Sequence, residues 1–164
     1  MNTSIRRTLS PILVPAIPPD PAQRDADWLA GFDRRDFLEL GAIAAAPGTA
    51  RGVIRERLPW WGLGHLQYTA ELVASELITN SVAATRDVAW VGRVPPVRLW
   101  LLGSDVAVAI LVWDAVARKP VRRDVDWHDE SGRGLGIVDA LSADWDSYLP
   151  QHPFRGKVTR AFIK

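Results

Sequence analysis

At 164 residues the chain is long enough for one domain with a proper core, and 48% hydrophobic with 24% charged residues is an ordinary globular composition. With 20 basic against 19 acidic residues the net charge is +1, which provides no electrostatic case for nucleic acid as a partner. There is no cysteine, so disulfides, thiolate zinc sites and cysteine nucleophiles are excluded.

Residues 1–35 read as a proline-rich N-terminal arm. Pro11, Pro15, Pro18, Pro19 and Pro21 disfavour both helix and central strand. The arm is either disordered alone or docked through Ile12, Leu13, Val14 and Ile17 onto the domain or a second subunit, with a short helical turn from Asp25 to Phe32. The apolar run Ile12 to Ile17 is too short and too broken by prolines for a signal peptide. No run reaches the roughly 18–20 residues of a membrane span. A cytoplasmic location without membrane attachment is therefore expected.

Residues 36–164 read as the domain. Phe37 to Leu40 is a first strand. Pro47 suits the first turn of a helix that runs to the Pro59-Trp60-Trp61-Gly62 break. A second helix spans about Gly64 to Thr85, followed by a loop from Arg86 to Pro96. Val97 to Leu102 and Val106 to Trp113 form a hairpin about Gly103-Ser104-Asp105. A long polar loop, Ala115 to Gly132, leads to a helix from Gly132 to Leu141, and such loops inside compact domains are usually functional or mobile. Asp144 to Leu149 and Lys157 to Ile163 form the last hairpin. This order predicts an α+β, two-layer α/β sandwich: one mixed, mostly antiparallel sheet with helices on one face.

Three segments carry chemistry. At about 100° per residue, Glu76 and Asn80 fall within the apolar stripe of the second helix, while Gln67, Glu71 and Ala74 take its back. A carboxylate placed inward is either paired, here with one of the chain's arginines, or used. Leu111-Val112-Trp113-Asp114 runs a buried strand into an aspartate. That residue either starts a turn or accepts an exocyclic amine such as the adenine N6 group, an acceptor-only carboxylate being unsuited to the O6 of guanine. Gly132-Arg133-Gly134-Leu135-Gly136 opens a helix, as a loop-to-helix joint or as a cradle of backbone N–H groups for an anion. It has neither the P-loop ending nor the dinucleotide-binding glycine spacing.

In this order the segments resemble the GHKL ATP-binding domain, the Bergerat fold, and within it the anti-sigma-factor, serine-kinase-like ATPases of actinobacteria. The resemblance covers roughly residues 36 to 164. Glu71 to Val82 is similar to the family's N box, Val112-Trp113-Asp114 to the start of its first glycine box, Gly132 to Val138 to its second, and Gly156-Lys157-Val158 to the run into its last strand. The resemblance implies Asn80 as the Mg²⁺ ligand, Glu76 as the general base and Asp114 as the adenine contact. Gly132, Arg133, Gly134, Leu135 and Gly136 would line the ATP phosphates, with Thr159 on the adenine side. It implies an ATP- and Mg²⁺-dependent serine/threonine kinase with a sigma factor or an anti-sigma antagonist as protein partner. A homodimer using Trp60, Trp61 and the arm is a further expectation. The chain departs from the family where Asp114 to Pro120 contains no glycine and where Lys157 opens the last strand. The alternative is a non-catalytic nucleotide-binding or protein-interaction module with a degenerate ATP site.

Overall fold

The computed structural model describes residues 14–22, 25–91, 94–119 and 133–164. Among the described residues five strands and four α-helices follow one another as α1 (Asp25–Leu29), β1 (Arg34–Gly41), α2 (Ala46–Trp60), α3 (Gln67–Thr85), β2 (Pro96–Gly103), β3 (Val108–Asp114), α4 (Arg133–Leu141), β4 (Asp144–Tyr148) and β5 (Lys157–Ile163). A single 3₁₀ turn, Gly64–Leu66, leads into α3.

The strands form one sheet in the order β1-β2-β3-β5-β4, and every pairing is antiparallel. The sequence suggests a mixed sheet because a helix separates β3 from β4. The two strands do run the same way, but β5 inserts between them and pairs antiparallel with each. The hairpin turn also differs from the expected Gly103-Ser104-Asp105. It spans Ser104 to Ala107, with the Ser104 hydroxyl accepting from the Val106 and Ala107 amides, so β3 starts two residues later than its apolar run.

α2, α3 and α4 cover one face of the sheet, making a two-layer α/β sandwich. Alternate residues of the strands point into that layer: Val97, Leu99 and Leu101 from β2, Val108, Ile110 and Val112 from β3, and Ala161 and Ile163 from β5. They meet Ile54 and Leu58 of α2, Val73 and Leu77 of α3 and Val138 of α4. α3 is the middle helix, with α2 on one flank, α4 on the other and β3 beneath.

The opposite face carries an apolar cluster of its own. Trp100, Leu102, Ala109, Leu111, Trp113, Tyr148 and Val158 form a second cluster, closed over by Val14, Ile17, Trp28, Leu29 and Phe32. The arm is thus docked on its own domain from Val14 onward. Its prolines leave carbonyl groups free of any ladder, and the sheet uses them: Trp100 Nε1 donates to Pro15 O at 2.9 Å, Tyr148 Oη to Pro18 O at 2.7 Å and the Gln151 amide to Pro19 O at 3.1 Å. The buried Arg160 guanidinium reaches both Asp20 of the arm and Asp146 of β4. Antiparallel sheets commonly leave one face to solvent. Here all seven residues of β3 are buried, because the arm supplies the missing cover.

Candidate functional site

α3 carries Glu76 and Asn80 on the flank that meets α4, both half-buried. Among the described residues Glu76 makes no hydrogen bond or ion pair, with an arginine or with any other side chain. The Asn80 Nδ2 is buried and has no hydrogen-bond partner among the described residues. A buried amide N–H₂ left unpaired costs about 1–3 kcal/mol, which a ligand oxygen would recover.

Gly134, in the first turn of α4, is pressed against this pair. A Cβ there would stand 2.5 Å from Glu76 Oε2 and 3.6 Å from both Asn80 amide atoms. The glycine thus lets α4 approach the Glu76 carboxylate closely, and a side chain there would make that carboxylate shift. Gly136 has no such reason, since a Cβ there would meet nothing within 4 Å. Leu135 packs against the helix-side core, and Arg133 begins α4. Gly132, with most of the expected lid loop, lies outside the described residues. A helix start facing an amide donor and a carboxylate is an arrangement for a cation and an anion together.

The opposite flank of α3 differs from the sequence reading, which assigned Gln67, Glu71 and Ala74 to its back. Ala74 is fully buried and Glu71 is 7% exposed, because α2 packs on that flank. Arg55 of α2 grips the Glu71 carboxylate with Nε at 3.2 Å and Nη2 at 2.7 Å, and Gln67 Nε2 adds a third donor at 2.8 Å. The Arg55 hydrogen bond is the main reason the Glu71 carboxyl is held below the usual carboxylate range, burial opposing it. Arg51 Nη1 bonds Ser75 Oγ at 3.0 Å beside this clamp. Of the two acids on α3, one is fully engaged in joining helices and the other has no partner among the described residues.

Asp114, Lys157 and Thr159 lie on the helix side of the sheet. Asp114 is directly opposite Lys157 in the ladder, and Thr159 is opposite both Val112 and Ser147. Thr159 Oγ1 and Ser147 Oγ share a hydrogen bond of 2.7 Å. The Asp114 side chain is completely buried, and both its oxygens accept from Lys157 Nζ, Oδ1 at 2.7 Å. Oδ1 also accepts from the Val116 amide at 2.9 Å. The aspartate expected to stand ready for an adenine amine is thus held by a lysine of the neighbouring strand. Gly156 brings the two strands to this register: its φ is +86°, and a Cβ there would overlap the Asp114 carbonyl oxygen. The indole of Trp113 donates to Arg155 O at 2.7 Å on the same turn.

The engagement of Asp114 by Lys157 is what sequence reasoning missed. Lys157 stood out only as an unusual residue at the head of a strand, and its partner depended on a register that no local pattern encodes. Among the described residues no group of three or more acidic or histidine side chains could hold a metal ion. Among the same residues no helix is long and apolar enough to cross a membrane. A scan against protein-family models finds none that matches the chain, and a search of curated proteins finds no significant match.

Proposed function

We propose that this chain is a nucleotide-binding regulatory protein that transfers the γ-phosphate of a purine nucleoside triphosphate, ATP in the family it resembles, to a serine of a protein partner. The observation that supports it is the Glu76 carboxylate and the Asn80 amide nitrogen, both without a partner among the described residues, set against Gly134 at the start of α4. The donor set fits Mg²⁺, which prefers few protein ligands together with phosphate and water. Asn80 would hold it through Oδ1, and bound Mg²⁺ would neutralise phosphate charge. Glu76 is the general base that takes the proton of the attacking hydroxyl. The backbone of Gly134 lets the phosphates approach the head of α4. A sigma factor or an anti-sigma antagonist is the partner class suggested by the resemblance, and phosphotransfer suits such a switch.

Titration calorimetry with Mg²⁺ and ATP, ADP or GTP tests the binding step. Asn80→Ala is expected to lower Mg²⁺-dependent nucleotide affinity at least about tenfold, the loss of one charge-assisted contact. Glu76→Ala is expected to abolish phosphoserine formation on a partner while keeping the nucleotide. Unchanged transfer by Glu76→Ala would remove the base assignment, and no heat with any nucleotide would remove the kinase reading.

A second reading, a non-catalytic protein-interaction module, is favoured by one observation. Asp114 is saturated by Lys157, and the segment after it to Pro120 has no glycine. Under this reading the arm-covered sheet serves only as a scaffold, and calorimetry is silent for every nucleotide.

A further inference from the structure

The Lys157–Asp114 pair changes what the base end of the site offers. An ammonium has three N–H donors. Lys157 directs two of them at Asp114 Oδ1 and Oδ2, and no further acceptor meets its Nζ among the described residues. Asp114 has the reverse character. It is 0% exposed and orients on Lys157 and the Val116 amide, while the Lys157 side chain keeps 7% exposure. What the pair leaves accessible therefore belongs to Lys157, whose polar group is a donor and not an acceptor. A lone aspartate at the same position would present an acceptor.

The pair is built into the backbone and is no chance surface contact. Residues 114 and 157 are direct ladder partners, Gly156 is tied to its positive φ by the Asp114 carbonyl, and Trp113 anchors Arg155. A lysine swinging away would leave a fully buried carboxylate without its counter-charge, which is strongly unfavourable. The ammonium thus occupies the place that the amino group of a 6-aminopurine would need on Asp114.

We propose that Lys157 is the base-reading residue of this site and selects a purine carrying an oxygen at position 6 over one carrying an amine. The oxygen accepts the free N–H of Lys157. The amine offers a donor to a donor and finds Asp114 already taken. This rests on the nucleotide-binding reading given above, and it concerns only the base, not the phosphates.

Inosine and adenosine triphosphates make the comparison direct, because both lack the 2-amino group of guanine. With Mg²⁺ and the full-length wild-type protein, inosine triphosphate is expected to bind at least about tenfold tighter than ATP, the scale of one matched against one mismatched hydrogen bond. Lys157→Met frees the Asp114 carboxylate and is expected to reverse the order in favour of ATP. The double variant Lys157→Met/Asp114→Asn, which removes both buried charges together, controls for folding and is expected to lose the preference for the 6-oxo base. Tighter binding of ATP than of inosine triphosphate by the wild type overturns the inference and leaves the nucleotide reading standing. Absence of binding by both overturns the two together, and a wild-type preference for inosine triphosphate that persists in the double variant overturns the role of Lys157.

Discussion

Gly134 and Gly136 sit two residues apart in the same helix and have opposite prospects under substitution. Alanine at 134 must push Glu76 aside, whereas alanine at 136 enters open space. Gly136→Ala is expected to stabilise the fold by about 0.5–1 kcal/mol through helix propensity alone, with nucleotide affinity unchanged. Gly134→Ala is expected to weaken nucleotide binding about tenfold, since it displaces the Glu76 carboxylate and crowds the space between α4 and Asn80. Thermal melts and calorimetry on both variants separate the two effects. Equal binding by both would mean that the contact between Gly134 and Glu76 has no part in the site. The inward placement of Glu76 and Asn80 was legible from helical periodicity. That Glu76 has no partner among the described residues was not, because the arginines seen to bond α3 there come from α2, and α2 packs on the other flank, where Arg55 takes Glu71.

At the scale of elements, the junction of α2 and α3 depends on one charged clamp. Arg55 holds the Glu71 carboxyl below its ordinary value of 4.5, so the unfolded chain takes up a proton there more readily than the folded one. The stabilisation is fully present above that ordinary value and is lost as pH falls through the lower folded one. Glu71→Gln is therefore expected to melt below the wild type near neutral pH, and the gap is expected to narrow as the pH drops from about 5 to about 3. A gap that stays constant over that range would show that the clamp acts through packing and not through charge. Helix and strand boundaries were readable to within a few residues, because Pro47, the Trp60–Gly62 break and the β-branched runs are local signals. The flank of α3 that α2 covers was misread because α3 is buried on both flanks and beneath, so its polar residues do not mark a solvent side.

Across the whole molecule the arm closes the sheet. Removing residues 1–33 uncovers Trp100, Leu102, Leu111 and Trp113, a contiguous apolar face of the kind that drives association. The truncated chain is expected to aggregate or to melt well below the intact one, as light scattering and calorimetry will report. A monomeric truncation with an unchanged melting temperature would refute the strap. Asp20→Ala tests the same contact gently: it withdraws a carboxylate that reaches the buried Arg160 and is expected to cost about 2 kcal/mol in urea unfolding. The amino-acid sequence by itself determined the element order, the layered fold class, the polar pair on α3 and the aspartate that ends β3, because each is a matter of periodicity or of residues close along the chain. Only the tertiary structure decided that Asp114 belongs to Lys157, that Glu71 belongs to Arg55 and that the arm lies on the second sheet face. Those pairings join residues 43, 16 and 85 positions apart, the last through Trp100 and Pro15. Their partners are chosen by strand register and helix packing, which are properties of the folded chain as a whole.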